Sequence, residues 1–427
     1  MGRRRRGPPG HRGQVTRALS TAHDTVADTV RVEGARILAT LIRTVGDVQT
    51  AQDAVQEAVL AALSTWPVSG VPPQPRAWLT VTARRKAIDI LRREQARPGK
   101  EEESTRMLEL TRTDLPSDAD VHDDLLRLVF TCCHPALSPP TQVALALRTL
   151  CGLSPAQIAA VLLTTEAATE KRLTRARQKI AAAHIPYRVP PAHELPDRLP
   201  AVCGVIHSLY TAGHAPADGP DAFDVDACAE AVRLATLLHT LLPDQPAPAA
   251  VLALLLLTEA RRPARLDASG AVVTLDRQDR SRWDATLIAR GITLLNASLL
   301  ASSRRADAYQ LQAAIAAEHA RAASYAATDW PEILRLYDLL MSVAPSPAAG
   351  LARVVAAAEA HGAAAGLALL AELPASPRRH AVHAELLARA GRPAEAVRAL
   401  TASLAGPATD AERRHRLARL AELRDLR

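Results

Sequence analysis

Lys171, Arg172, Arg175 and Arg177 recur along one stretch with helical periodicity. Ammonium and guanidinium groups at that spacing can meet backbone phosphates or reach base edges in a groove. A second cationic set, Arg84, Arg85, Lys86, Arg92 and Arg93, follows Trp78. Cations for phosphates beside a π-face for an unstacked base are what single-stranded nucleic acid requires. Asp53, Gln56 and Glu57 share one helix face by i, i+3 and i, i+4 spacing, and could dock on a basic partner. Each set also has a plainer explanation. The arginines near Trp78 fit DNA contact and simple solvation equally, Trp78 alone fits a packed core better, and the acidic face fits a solubilising surface.

Two further clusters suggest chemistry and then fall short of it. Cys132-Cys133-His134 looks like part of a metal site, but no second ligand pair stands at a workable distance, and a packed helix end explains it better. Asp276, Asp279, Arg280, Arg282, Trp283 and Asp284 form a dense charged knot. Without a nucleophile motif, a Gly-rich phosphate loop or paired histidines near it, it reads as an ion-paired helix entry rather than an acid/base pair. Exchange of Asp276 and Asp284 for Asn would test the enzymatic alternative.

The elements that must carry the first set are legible. LSPAQIAAVLLTTEAATEKRLTRARQKI, residues 153–180, predicts a short apolar helix, a tight turn and a basic second helix. Ser154 is an N-cap, Pro155 suits the first helical position and Gln157 completes a capping box. Ile158 and Val161 form the apolar ridge. Thr165 caps the second helix and Glu166 favours its positive end, with Leu173 and Ile180 facing inward. Upstream, Ile37, Leu38, Leu41 and Ile42 predict one apolar face, and Val48, Ala51, Val55, Val59 and Ala62 a second that closes at Trp66-Pro67. AWLTVTARRKAIDILRRE predicts a third helix, with Leu79, Ala83, Ala87 and Ile90 inward and Trp78, Arg85, Asp89 and Arg92 near one outward stripe.

Composition sets the class. The 427 residues are 48% hydrophobic but only 3% aromatic, so cores must be built from Ala, Leu and Val. This favours close-packed helices over sheets and predicts an all-α chain. A net charge of +7 permits a polyanionic partner without choosing one. Five cysteines fit no closed disulfide framework and point to a reducing, cytoplasmic setting. No apolar run approaches membrane-spanning length, the longest being Val251 to Leu257, and Arg3 to Arg6 are not followed by the apolar core of a signal peptide.

The expected organisation is a disordered basic arm at 1–22, a helical unit at 23–95, a polar linker at 96–120, a second helical unit with the helix-turn-helix at 121–183, and an α-helical extension at 184–427. In the extension, Ala- and Leu-rich blocks broken by Pro and Gly predict eleven helices in short pairs, as in antiparallel helical-hairpin repeats, with an irregular bundle as the alternative. Residues 263–279 read as a small hairpin or a surface loop.

With both units in view, the chain resembles the sigma-70 superfamily in its extracytoplasmic-function (ECF) group. DVQTAQDAVQEAVLAAL and PRAWLTVTARRKAIDILRRE carry the likeness to region 2, and residues 153–180 the likeness to region 4. LLRLVFTCCHPALS, LDRQDRSRWDATLIARG, YQLQAAIAAEHARA and TDWPEILRLYDLL resemble a subgroup with a long TPR-like C-terminal extension. The resemblance implies a non-enzymatic subunit, without metal or cofactor of its own, that binds core RNA polymerase and promoter DNA. Asp53, Gln56 and Glu57 would meet the β′ clamp helices, and region 4 would lie toward the β flap. Trp78, Arg84, Arg85, Lys86, Asp89, Arg92 and Arg93 would open and hold the melted −10 element. Thr169, Lys171, Arg172, Thr174, Arg175 and Arg177 would read the duplex −35 element. The extension would regulate, dock or receive a regulatory protein. Two departures stand out: the region 4 turn is Leu163-Thr164 where the family commonly has Gly and a β-branched residue, and Thr211-Ala212-Gly213-His214 replaces a frequent Asn-Glu-Gly-Tyr run. The rival is a stand-alone helix-turn-helix regulator with a ligand-sensing extension, which would have no need of the acidic face.

Overall fold

A computed structural model describes residues 11–95, 118–150, 153–162, 164–183, 185, 187–191, 193–216, 219–302 and 305–425. Among these the chain is all-α, with two isolated β-bridges and no helix long and apolar enough to cross a membrane. It divides into two units, residues 1–205 and 206–427.

In the first unit, α1 (His11–Val45), α2 (Val48–Ser69) and α3 (Pro75–Gln95) pack on one another. Helix α1 starts at His11, inside the stretch expected to be a disordered arm; residues 1–10 lie outside the described set. Ile37, Leu38, Leu41 and Ile42 are buried as expected. Asp47 caps α2 by accepting from Thr50 N at 2.7 Å. The buried face of α2 is Ala51, Ala54, Ala58, Ala62 and Trp66, with Val55 and Val59 only half-buried. The predicted stripe was therefore rotated: small residues let the helices approach, and the β-branched ones sit at the margin. The helix also runs on through Pro67, which lies in its last turn, and ends at Gly70, whose φ of 85° suits glycine.

Residues 96–117 of the expected linker lie outside the described set, and 118–120 already belong to α4 (Asp118–Cys132). α5 (Pro139–Leu150), α6 (Pro155–Val161) and α7 (Glu166–Ala182) follow. Cys132 and Cys133 are fully buried, and burial pushes the Cys132 thiol up to about 12. The His134 ring accepts from Ala136 N in the turn after α4, so the Cys-Cys-His run is a packed helix end. Cys151 and Leu163 lie outside the described residues.

One polar contact ties α4 to α1. The Asp124 side chain is 1% exposed and accepts from Arg43 Nε at 2.9 Å, with Arg127 Nη1 at 3.4 Å. The Tyr187 hydroxyl lies 3.0 Å from Ala39 O on α1 and 2.9 Å from Asp124 O on α4, so its one proton bridges the two backbones. Leu38, Leu41 and Ile42 of α1 and Leu125, Leu128 and Val129 of α4 are buried, and the two helices pack on each other.

Helix α8 (Leu195–His214) crosses the boundary between the units. The second unit continues through α9 (Val225–Leu241), α10 (Pro246–Glu259), α11 (Ala285–Ala301), α12 (Ala308–Arg321), α13 (Trp330–Val343), α14 (Pro347–His361), α15 (Ala363–Leu370), α16 (Pro377–Arg389), α17 (Pro393–Leu404) and α18 (Asp410–Asp425). All eleven helices expected from the Pro- and Gly-broken blocks form, and from α9 onward each packs on the next. Helix α10 is apolar all round and is buried from Pro248 to Leu257. Gly213 admits a close approach: a Cβ there would lie 2.8 Å from Asp224 O at the start of α9. The 263–279 stretch is a loop closed by a single antiparallel bridge, Leu266 to Val272, around a turn at Asp267.

The second unit keeps two histidines neutral in its interior. His214 stacks on Tyr210 and accepts from Arg265 Nη1 at 2.6 Å, and burial with the neighbouring arginines brings its pKa to about 3. His319 meets Trp330 edge-on, and burial with Arg261 and Arg280 brings it to about 3. In the unfolded chain both titrate near 6.5. Their contribution is intact above that value and is lost as pH falls from 6.5 toward 3, because only the unfolded chain takes up the proton. The expected loss at pH 5 is about 2 kcal/mol per histidine. Urea melts at pH 7 and pH 5 check this: the drop should shrink markedly in a His214→Gln, His319→Gln chain.

Candidate nucleic-acid interface

The helix-turn-helix forms as its caps dictate. Ser154 N donates to Gln157 Oε1 at 2.9 Å and Gln157 N donates to Ser154 Oγ at 3.2 Å, a reciprocal capping box. Thr165 Oγ1 accepts from Ala168 N at the start of α7. Ile158, Ala159, Leu173 and Ala176 are buried between the helices. Fixing that side of α7 turns Lys171, Thr174, Arg175 and Gln178 outward, and all four are exposed. Arg175 Nε gives to Lys171 O and Thr174 Oγ1 to Glu170 O, so both lie along the helix surface. Arg172 and Arg177 flank the buried side and are half-buried. Arg177 has its Nε sealed from solvent and sits beside Arg148 of α5, whose pKa it helps lower, so it stands apart from the outward stripe.

Thr169 corrects the sequence reading. It is 0% exposed, and its hydroxyl is sealed without a partner. It falls on the Leu173–Ala176 side of α7, packed inside the motif, and cannot touch DNA while the motif is folded.

On α3, Leu79, Ala83 and Ala87 point inward and the outward stripe runs Trp78, Thr82, Arg85, Asp89, Arg92. Trp78 is half-buried rather than a core residue. Its ring meets the fully buried Trp66 edge-on, with centroids 5.5 Å apart and planes at 72°. Trp78 also lines an open cleft of 510 Å³ with Pro72, Pro73, Gln74, Val81 and Arg85. An aromatic wall braced by a second indole, with a cation at the rim, can take one flat base. The prolines before α3 were read only as a helix boundary, and their part in the cleft was not visible from spacing. Arg85 and Arg92 are exposed, and Arg84 and Lys86 half-buried. Arg93, 67% exposed, gives from Nε to Asp89 O.

The acidic face of α2 divides. Asp53 and Gln56 are exposed, and Asp53 accepts from Gln49. Glu57 is turned toward α3, with Lys86 Nζ at 3.4 Å and Arg93 Nη2 at 3.9 Å. Glu57 is thus paired with the cationic helix and is not a free acid. Sequence reasoning missed Leu60, which is 66% exposed on the same face as Asp53 and Gln56. Its place at i+7 from Asp53 on an otherwise polar stripe was the available signal.

The charged knot is not a set of ion pairs. Asp279 caps the turn at Arg280–Arg282 and Asp284 caps α11, while Arg280 stacks on Trp283. These acids are engaged with backbone N–H groups, which removes the ground for an acid/base pair.

Residues 30–97 match the family described as Sigma-70 region 2, residues 127–180 the one described as Sigma-70, region 4, and residues 198–299 a family of unknown function, DUF6596. The chain is 41% identical to the uncharacterized protein R00370 of Rhizobium meliloti (strain 1021), over 83% of this chain and 86% of that one. It is 30% identical to a probable ECF RNA polymerase sigma factor, SigI, of Mycobacterium tuberculosis (strains CDC 1551 / Oshkosh and ATCC 25618 / H37Rv), over 40% of this chain and 59% of SigI. No solved structure matches the chain significantly.

Proposed function

We propose, on the premise that this chain belongs to the ECF group of the sigma-70 superfamily, that it directs core RNA polymerase to specific promoters and helps to open them. The observation that carries this reading is the presence of two outward cationic helix faces, α7 and α3, on segments matched by region 4 and region 2. Lys171, Arg172, Thr174 and Arg175 read the duplex −35 element, where a good bidentate contact discriminates by about 1–3 kcal/mol. The Trp78 cleft captures an unstacked base of the −10 element while Arg85, Arg92 and Arg93 hold its phosphates. The chain contributes binding energy and no bond chemistry; the polymerase supplies catalysis. The second unit is a regulatory or docking module.

Geometry adds a step. The −35 and −10 elements are about 25 base pairs apart, on the order of 85 Å of duplex at 3.4 Å per pair. A compact body of the first unit's size has a radius of gyration of about 17 Å. It cannot span both elements while α1 and α4 are packed together, so promoter engagement requires the Arg43–Asp124–Tyr187 contact to open.

The outward face of α2 meets the polymerase through Asp53, Gln56 and the apolar Leu60. A stand-alone regulator has no use for that face. Leu60→Asp combined with Asp53→Lys is expected to weaken association with core polymerase at least tenfold in a co-elution or fluorescence assay, and to leave binding of a −35 duplex oligonucleotide unchanged. Unaltered core binding would sink this assignment.

A further inference from the structure

In the second unit three guanidiniums converge without an acid among them. Arg261 and Arg280 both lie on the Trp283 ring, at 5.2 and 4.7 Å from its centroid. Arg265 lies over Phe223 at 4.5 Å and donates to His214. Arg280 donates to His319 O, Ala322 O and Thr328 Oγ1.

The nearby carboxylates are already engaged. Glu259 holds Arg262 and accepts from the Tyr210 hydroxyl, and Glu412 pairs with Arg378 and Arg416. Among the described residues no carboxylate stands within ion-pair distance of Arg261, Arg265 or Arg280. Stacking explains part of this arrangement, since a cation over an indole face is attracted to it. Carbonyl oxygens satisfy part of Arg265 and Arg280.

Arg261 has the Trp283 ring but no oxygen: its terminal nitrogens make no hydrogen bond to any described residue. Its Nε is sealed and unpartnered, as are Arg280 Nε, Trp283 Nε1 and His319 Nδ1 around the same ring cluster. Burial and the charges of Arg265 and Arg280 bring Arg261 down to about 10, which leaves it cationic at neutral pH. Buried charge without a counter-charge is disfavoured, and native interiors normally supply a partner. Arg261 is half-buried, and among the described residues no carboxylate supplies that partner.

We propose that the Arg261–Arg265–Arg280 cluster binds a phosphate dianion, free or as the terminal group of a small phosphate monoester, with Arg261 as its principal ligand. Guanidinium forks suit tetrahedral oxyanions bidentately, and clustered cations favour a dianion over a single carboxylate. The inference concerns the second unit alone and does not rest on promoter or polymerase binding, so the two readings fail separately.

The test uses the full chain and inorganic phosphate. Thermal unfolding is followed at pH 7.5 against phosphate, sulfate, acetate and chloride at one ionic strength. The midpoint is expected to rise with phosphate in a saturable way, with acetate and chloride inert. Arg261→Met keeps the stem against Trp283 and should weaken phosphate at least tenfold; Arg261→Lys should retain part of the response. Phosphorus NMR line broadening of phosphate on the unaltered protein gives the same answer if the methionine variant does not fold. Equal responses to all four anions, or an undiminished response in a folded Arg261→Met chain, would overturn the proposal in favour of cations held by stacking alone. Displacement of phosphate by duplex DNA would overturn it in favour of a DNA contact, and displacement by an acidic peptide but not by a small phosphate ester in favour of a protein-docking site.

Discussion

Arg43→Met is expected to make the full chain bind a promoter containing both elements up to about thirty-fold more tightly. The reason lies in the asymmetry of the ion pair. Asp124 is buried at 1% exposure while Arg43 is 43% exposed. Removing the arginine takes the 2.9 Å partner from a buried carboxylate in the closed form, while Arg127 stays at 3.4 Å. Once α1 and α4 separate, water reaches Asp124 and the penalty disappears. Truncating one partner of a buried charge pair costs about 2–5 kcal/mol, and the contacts that Asp124 keeps put this case near the lower end, about 2. A shift of that size raises a minor open population about thirty-fold, and apparent affinity follows it. Small-angle scattering should show a larger radius of gyration in the same sample. Tyr187→Phe should act in the same direction but more weakly, since it removes one hydrogen bond worth about 1 kcal/mol. Unchanged affinity and unchanged radius in both variants would mean that α1 and α4 stay together on DNA.

The second large effect falls on α7. Arg172→Ala with Arg175→Ala should reduce promoter-dependent transcription on the order of 100-fold, from two contacts worth about 1–3 kcal/mol each. Core polymerase binding should be untouched. The salt dependence of promoter binding should flatten as phosphate contacts are lost, by about one in slope for each. Thr169→Val is the internal control. It removes a buried hydroxyl that has no partner, so it should leave recognition unchanged and stability neutral or improved. A Thr169→Val chain as defective as the arginine pair would place Thr169 at the DNA after all.

What could be read ahead of the structure follows from the range of the forces involved. The caps at Ser154, Gln157 and Thr165 and the eleven helices of the extension are local, set by residues three or four apart, and they form as spacing predicts. The rotated face of α2 shows where composition misleads. Val55 and Val59 are the more apolar residues, but Ala54 and Ala58 are the ones small enough to sit between packed helices. Thr169 was assigned to DNA by the family resemblance; its i, i+4 spacing from the inward Leu173 was the local signal against it, and its full burial depends on how α6 packs on α7. The pairing of Glu57 with Lys86 and Arg93 was hidden for a similar reason, since those partners lie on the next helix. The contact of Arg43 with Asp124 spans 81 positions, and no periodicity announces it. Of the arginine cluster only Arg280 stood in the charged knot, where Asp279 caps the Arg280–Arg282 turn and Asp284 caps α11; Arg261 and Arg265 lie outside it in sequence.

On the proposed function, this chain supplies core polymerase with promoter recognition. The most direct measurement is run-off transcription with purified core polymerase, the full-length chain and a library of candidate promoter fragments. The account predicts discrete transcripts only when chain and core are both present, from fragments sharing a −35 and a −10 element, and their loss with Arg172→Ala, Arg175→Ala. Absence of any start-site-specific transcript across the library, with the chain bound to DNA equally well in the absence of polymerase, would contradict it.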